Sequence, residues 1–147
     1  MPAVKKIKLN DAEDNFILRV KYLNFPFPVF ELAARLNLLF QIRLKRVEDY
    51  LHYHQKTKQI VPFILFKHRD EMQRLDVFVL SNNTESFQID SSSKQADYFL
   101  ILRSEFETKD IVTHIEQFIN QQSHIYQIYA FGGNEIESKL KGNLTNE

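Results

Sequence analysis

The chain contains no cysteine and no tryptophan, and it has only three glycines among its 147 residues. Without cysteine, disulfides and thiolate zinc sites are excluded, and nothing in the sequence indicates an oxidising compartment. The glycines Gly132, Gly133 and Gly142 all lie near the end of the chain. Because phosphate-binding loops need glycine after an early strand, the sequence argues against P-loop, dinucleotide-binding and kinase-type enzymes.

Apolar runs of membrane-spanning length are also missing. No run approaches the roughly 18–20 residues that cross a bilayer, and residues 1–6 lead into a strand-like segment without the apolar core of a secretory signal. We therefore expect a cytoplasmic protein that does not enter the membrane. The 44% of hydrophobic residues can supply a core, and 147 residues fit one domain. We expect that domain to cover residues 1–140 and residues 141–147 to be a frayed tail.

Neither sign of charge is in excess, since 19 Lys and Arg balance 19 Asp and Glu. The halves nevertheless differ: residues 1–70 contain 13 basic and 7 acidic side chains, whereas residues 71–147 contain 6 and 12. This asymmetry indicates either a bipolar surface or one domain whose halves attract each other. We favour the second interpretation, because charges distant in sequence interleave when a compact domain folds.

The first third of the chain predicts strands followed by a helix. Polar and apolar side chains alternate over residues 6–9 and 16–23, as in strands with one buried face. The prolines of residues 25–28 end the second strand, since proline cannot donate to a ladder. A helix is predicted to begin at Pro28 and to end near Asn37. Its apolar stripe contains Val29, Leu32, Ala33 and Leu36.

The middle of the chain predicts further strands. Alternation resumes over residues 40–53, and a polar turn follows at residues 55–59. Residues 61–66 and 75–80 are apolar on both faces, which is typical of central strands, and the polar residues between them predict an antiparallel hairpin. Residues 81–95 are rich in Asn, Ser and Asp and predict a connecting loop.

The clearest pattern in the sequence is a strand, helix and strand near the end. Residues 97–103 form an apolar run, residues 109–120 carry apolar side chains at helical spacing, and residues 125–131 return to strand. Thr108 is placed to cap the helix. The two strands should run parallel with another strand between them, as in split β-α-β units. The sequence thus predicts an α+β fold with two helices on one face of a mainly antiparallel sheet.

Three histidines are candidate metal ligands. His52 and His54 share one face of a predicted strand, and His68 could join them if that strand pairs with the hairpin. The neighbouring tyrosines, glutamine and lysine indicate an ordinary exposed surface instead, and no orienting carboxylate is evident. We therefore predict no metal site and no cofactor.

Asp97 and Tyr98 open the clearest strand and could mark a ligand site at a sheet end. The interpretation we favour is structural, because short acidic side chains at the start of a strand commonly bond to nearby backbone. No serine or threonine occupies a nucleophile-elbow context. We therefore predict no catalytic residue.

Basic and aromatic residues are interleaved over residues 43–58. Cations that neutralise phosphates and rings that stack on bases are the side chains that bind single-stranded RNA, although Glu48 and Asp49 interrupt the stretch. The candidate binding residues for a partner or RNA are Arg43, Lys45, Arg46, Tyr50, His52, Tyr53, His54, Lys56 and Lys58.

The segment Ala96-Asp97-Tyr98 and its setting, between an Asn/Ser-rich loop and a C-terminal helix and strand, resemble a family of small bacterial proteins with an Ile-Pro-Glu-x-x-x-Val-Asp-Tyr motif. The second half of the motif is present, with Ala96 in place of Val, and Asp90-Ser91-Ser92 stands where Ile-Pro-Glu would. The family has no established activity. The resemblance implies a small cytoplasmic bacterial protein and no catalytic residues.

From these observations we expect a non-enzymatic protein-interaction module whose partner is another protein or a second copy of the chain. One alternative is an RNA- or ribosome-associated accessory protein that binds through residues 43–58. Another is an enzyme acting on a small ligand at an unfamiliar site, which would require a pocket with converging polar groups.

Overall fold

The computed structural model describes residues 17–84, 87–89, 96–107, 109–121 and 127–131, with the backbone alone for 109, 112 and 127–131. Within these ranges the elements follow in the order β1 (Ile17–Asn24), α1 (Val29–Phe40), β2 (Lys45–Arg46), β3 (Tyr50–His54), β4 (Gln59–Phe63), β5 (Leu65–Asp70), β6 (Leu75–Ser81), β7 (Asn83–Thr84), β8 (Phe87–Gln88), β9 (Tyr98–Ser104), α2 (Lys109–Asn120) and β10 (Gln127–Phe131).

Six strands form the main sheet, in the order β10-β1-β9-β6-β5-β2, and every neighbouring pair is antiparallel. Because β9 and β10 lie on opposite sides of β1, they run parallel to each other with β1 between them. The split β-α-β unit predicted from the sequence is therefore confirmed. The predicted α+β class, with a mainly antiparallel sheet, is confirmed as well.

Both helices pack on one face of the main sheet, as predicted. Leu32 and Leu36 of α1 and Ile119 of α2 belong to one buried cluster with the sheet residues Val77 and Leu100. The apolar stripe of α1 faces this core, since its four predicted members are all buried. Burial of these side chains is the main source of the stability of short helices such as these.

The other face of the main sheet is covered by the hairpin of β3 and β4. Tyr50, Val61 and Phe63 of this hairpin pack in a second cluster with Phe78 of β6 and Phe99 of β9. Strands β6 and β9 lie centrally in the sheet between these two layers. Burial on both faces explains why their sequences are apolar almost throughout.

Helix α1 differs from its predicted bounds at both ends. It begins at Val29, after Pro28 as the N-cap, and it ends at Phe40, three residues beyond the predicted end. Gln41, with φ 55° and ψ 47°, takes the left-handed conformation that is common after a helix. Asn37 instead uses its side chain to accept a hydrogen bond from the N–H of Leu44 at 2.7 Å and to donate one to the Leu44 carbonyl at 3.3 Å.

The prediction of single strands over residues 61–66 and 40–53 is wrong. β4 ends at Phe63 and pairs with β3, whereas β5 begins at Leu65 and pairs with β6 in the main sheet. The apolar run of residues 61–66 passes from the β3–β4 hairpin into the main sheet, so its two parts pack in different layers of the fold. Residues 40–53 are divided among the end of α1, β2 and β3.

Ion pairs join the basic first half of the chain to the acidic second half. Arg19 on β1 lies 3.2 Å from Glu107, and Lys21 lies 3.4 Å from Glu116 on α2. The charges of the two halves therefore interleave, as we predicted from their asymmetry.

Several sequence predictions lie outside the described residues. These are the strand over residues 6–9, the cap at Thr108 and the frayed tail at 141–147. Within the described part of the predicted loop at 81–95, β7 and β8 form a two-stranded sheet.

Candidate functional site

Asp97 and Tyr98 form a junction between β9 and the segment that joins β1 to α1. The Asp97 carboxylate accepts a hydrogen bond from the N–H of Phe25 at 3.1 Å, and the Asp97 N–H donates to the side-chain oxygen of Asn24 at 3.1 Å. The Tyr98 hydroxyl donates to the Phe27 carbonyl at 2.7 Å. Burial, and secondarily the neighbouring Asp97 charge, raises the pKa of the Tyr98 phenol.

A buried asparagine supports the same junction from the opposite side. Asn82 donates from its side-chain amide to the Ala96 carbonyl at 3.0 Å, and its backbone N–H donates to the Asp97 carbonyl at 3.0 Å. Hydrogen bonds thus join residues 96–98 to the backbone of Phe25 and Phe27 and to the side chains of Asn24 and Asn82. This confirms the structural interpretation of Asp97.

The three histidines considered as metal ligands make separate contacts. The ring of His52 stacks on Tyr50, with centroids 6.4 Å apart, and meets Phe63 edge-on. Nδ1 of His54 lies 3.0 Å from the Thr57 hydroxyl. Nδ1 of His68 accepts a hydrogen bond from the N–H of Arg43 at 3.1 Å. No group of three His, Asp or Glu side chains suited to a metal ion occurs among the described residues.

The basic candidates of residues 43–58 occupy two places on the surface. Lys45 and Arg46 lie in the edge strand β2, shortly after Arg43, and Lys56 and Lys58 lie in the turn that joins β3 to β4. All five side chains are exposed. Arg46 also forms an ion pair with Asp49 at 2.7 Å.

The aromatic candidates are mostly turned toward the main sheet. Tyr50 is buried in the core, so it does not lie on the surface that the sequence had suggested. His52 and His54 are half-buried, and His54 also packs edge-on against Phe87 at 4.9 Å. Tyr53 faces outward and is 53% exposed. Within the predicted set it is the aromatic ring most open to a partner.

Tyr53 belongs to an apolar patch on the outer face of the β3–β4 hairpin. Leu51 pairs with Pro62, and Tyr53 pairs with Ile60, so the four side chains are neighbours across the two strands. Leu51 is 62% and Ile60 66% exposed, and Pro62 is exposed too. We call this patch of Leu51, Tyr53, Ile60 and Pro62 the hairpin face.

Strand alternation explains why the hairpin face is exposed. Val61 and Phe63 point toward the main sheet, so Ile60 and Pro62 must point away from it. The same rule places Tyr50 inward and Leu51 outward on β3. Apolar side chains therefore lie on both faces of a hairpin that has protein on one face.

The charged side chains within the hairpin segment, residues 51–62, have one sign. Residues 51–62 contain two lysines, Lys56 and Lys58, and no Asp or Glu. Lys58 has φ 55°, which places it in the left-handed region within the turn. The patch is thus an apolar surface with lysines at one end.

Leu51, Ile60 and Pro62 were not among the sequence-predicted residues. Pro62 was the available signal, because proline within a strand is confined to sheet edges and does not fit the central strand that we predicted there. The outward direction of Leu51 and Ile60 could not be recognised without knowing which layer their strands join.

In comparisons with known proteins, no family model and no curated protein matches the chain. Neither described helix is long and apolar enough to cross a membrane.

Proposed function

We propose that the protein is a non-enzymatic interaction module that binds a protein partner through the hairpin face. The observation that carries the proposal is the cluster of four exposed apolar side chains, two of which are more than 60% exposed. Contiguous exposed apolar surface is a common mark of protein interaction sites. Covering it would contribute about 25 cal/mol per Å² of apolar area removed from water, before the costs of association.

The charges near the hairpin face favour a partner of particular composition. Because Lys56 and Lys58 border the patch without a carboxylate in residues 51–62, an apolar segment flanked by Asp or Glu would be complementary to it. Such charge complementarity mainly raises the association rate and selects among partners. A second copy of this chain would present the same lysines and no carboxylate from residues 51–62, so its hairpin face offers no such charge complementarity.

Affinity capture from the native host tests the proposal. The full chain is compared with a Leu51→Ser/Ile60→Ser variant and with a control, Leu38→Ser/Met72→Ser, whose residues are 83% and 96% exposed elsewhere on the surface. We expect a stable protein partner that is lost with the hairpin variant and kept with the control. A monomer without any stable partner, or a partner retained equally by both variants, would contradict the proposal.

RNA binding is the alternative function, and the exposure of five cations at residues 43–58 favours it. Binding to phosphates would weaken steeply with salt and would be lost in an Arg43→Glu/Arg46→Glu variant. The Leu51→Ser/Ile60→Ser variant would leave such binding intact, since it removes no cation and no aromatic ring. Capture of RNA with these properties would therefore favour the alternative function, RNA binding, over binding of a protein partner.

Two further parts of the proposal derive from the sequence. We propose a cytoplasmic location and membership of the bacterial family with the Ile-Pro-Glu-x-x-x-Val-Asp-Tyr motif, which the segment Ala96-Asp97-Tyr98 resembles. Microscopy of the tagged full chain in its host tests the location.

A further inference from the structure

An open groove of about 720 Å³ lies on the opposite side of the main sheet from the hairpin face. Its floor is formed by Leu75 and Val77 of β6 and Leu100 of β9. The C-terminal half of α1 and helix α2 form its walls. We call it the helix groove, and its volume falls within the roughly 300–1,000 Å³ typical of small-molecule sites.

The walls of the helix groove are apolar and partly aromatic. Leu39 and Phe40 line it from α1, and Ile115 and Phe118 line it from α2. The rings of Phe40 and Phe118 meet edge-on with centroids 5.8 Å apart, so the two helices contact each other there. An apolar ligand body would therefore meet side chains on three sides: the floor and both helical walls.

The polar side chains that line the helix groove include two carboxylates. The described residues of its lining include the carboxylates of Asp70 and Asp110 and the imidazoles of His68 and His114, but no Lys or Arg. One oxygen of Asp70 accepts a hydrogen bond from the N–H of Gln73 at 3.1 Å. Because Nδ1 of His68 accepts a hydrogen bond from Arg43, the proton of its neutral ring lies on Nε2.

We propose that the helix groove binds a small organic cation with an apolar or aromatic body and an ammonium group. The body would occupy the apolar floor and walls, and the ammonium would lie toward the carboxylates of Asp70 and Asp110. Among the lining residues that the structure describes, an anionic head group would meet two carboxylates and no Lys or Arg. A neutral ligand of the same shape would lack the charge attraction and could at most donate a hydrogen bond to one of the carboxylates.

Three probes of equal chain length distinguish these ligand classes. The ¹⁵N-labelled full chain is titrated with octylammonium, octanoate and octanol, and amide shifts are followed by NMR. We expect octylammonium to shift the amides of residues that line the helix groove and to bind at least about tenfold more tightly than octanoate, since the sign of the head group is reversed. Octanol should bind more weakly than octylammonium.

Substitution of the two carboxylates tests the charge contribution. Asp70→Asn/Asp110→Asn should weaken octylammonium binding about threefold to tenfold, as expected for two solvent-accessible ion pairs, and should leave octanol binding unchanged. Glu48→Gln, which removes an exposed carboxylate outside the groove, serves as the control. The amide spectrum of each variant shows whether it is folded.

Several results would overturn the proposal. They are octanoate or octanol binding as tightly as octylammonium, shifts confined to residues outside the helix groove, or no saturable binding of any probe. The comparison among probes uses the unaltered protein, so the proposal stays testable even if the double variant does not fold. The hairpin face lies across the sheet, so failure of this proposal leaves the proposed interaction function untouched.

Discussion

The backbone N–H of Asp97, immediately before β9, donates a hydrogen bond to the side chain of Asn24 at the end of β1. The Asn24 side chain accepts from the backbone N–H of Asp97 at 3.1 Å, and the Asp97 carboxylate accepts from the next backbone N–H, that of Phe25, at 3.1 Å. Each side chain thus satisfies a backbone donor on the opposite strand. These two hydrogen bonds hold the start of β9 against the point where the chain leaves β1 to begin α1.

We expect Asp97→Ala to lower the free energy of unfolding by about 1–3 kcal/mol, because it leaves the Phe25 N–H without its charged acceptor. Asp97→Asn should cost less, since an amide oxygen can still accept this bond. Urea denaturation of the three proteins, followed by far-UV circular dichroism, measures the difference.

The control for Asp97 is Asp49→Ala, which removes a carboxylate from an exposed ion pair with Arg46. Such pairs contribute about 0–1 kcal/mol. Equal destabilisation by Asp97→Ala and Asp49→Ala would contradict a special structural role for the junction.

The raised pKa of Tyr98 predicts that the protein loses stability in alkaline solution. Burial raises the pKa of its phenol above the usual value of 10.0, so the unfolded chain loses this proton at a lower pH than the folded one. The contribution of Tyr98 is therefore fully present below about pH 10 and is lost as the pH rises through the folded pKa. Tyr98→Phe removes this dependence. The stability advantage of the unaltered chain over Tyr98→Phe should shrink above pH 10.

Below pH 10, Tyr98→Phe should be less stable by about 0.5–1.5 kcal/mol because it lacks the bond to the Phe27 carbonyl. Denaturation at several pH values from 8 to 11 measures both effects, with Tyr53→Phe as a control for loss of an exposed phenol. A stability difference between Tyr98→Phe and the unaltered chain that does not change with pH would refute the argument.

The sequence predicted elements whose patterns are local. Helix α2 has the predicted bounds, 109–120, because its apolar residues recur at helical spacing between polar flanks. The alternation in β1 correctly placed Leu18 and Val20 on the opposite face from Leu23, but both faces of β1 are buried, where the sequence predicted one. Residues that follow a single period were thus placed correctly.

Features that depend on layers could not be predicted. Residues 61–66 are apolar throughout, and nothing local marks Ile64 as the point where the chain passes from the hairpin to the main sheet. For the same reason, the burial of Tyr50 and the exposure of Leu51 could not be predicted. Strand alternation separates the two faces of a strand but does not show which face is covered. The hairpin face and the helix groove both depend on such tertiary placement.

The sequence predicted that α1 ends near Asn37, but this residue lies within the helix and its side chain binds the segment that follows. Its amide group holds both the N–H and the carbonyl of Leu44, so it fixes the segment after α1. We expect Asn37→Ala to lower stability by about 1–2 kcal/mol through the loss of two hydrogen bonds. Asn37→Asp should also be destabilising, because a carboxylate cannot donate to the Leu44 carbonyl.

Chemical denaturation of both Asn37 variants tests this role, with Asn83→Ala as the control. Asn83 is exposed, and its side chain accepts a hydrogen bond from Gln88 at the surface. If Asn37→Ala were no more destabilising than Asn83→Ala, the loop after α1 would not depend on this side chain.

The strongest electrostatic prediction concerns the buried Asp76 on β6. Arg103 donates two hydrogen bonds to one of its oxygens, at 2.9 and 3.1 Å. The other oxygen accepts no hydrogen bond but lies 3.4 Å from Arg69 and 3.9 Å from Lys67. One carboxylate is therefore shared by three cations.

Because three cations share Asp76, we expect the loss of Asp76 to destabilise the fold more than the loss of Arg103 does. Arg103→Met leaves Asp76 with two nearby cations, whereas Asp76→Leu removes the counter-charge that all three cations share. Breaking a buried pair commonly costs about 3–5 kcal/mol. We expect Arg103→Met near the lower end of this range and Asp76→Leu at or above its upper end.

A double-mutant cycle by urea denaturation separates these contributions. Asp76→Leu/Arg103→Met should be destabilised by clearly less than the sum of the single variants, because the second substitution removes a charge that the first left unbalanced. Adding Arg69→Met to Asp76→Leu should recover further stability for the same reason, since it relieves repulsion between the remaining cations. Additive single effects, or an Arg103→Met variant less stable than Asp76→Leu, would show that Asp76 is not the shared counter-charge.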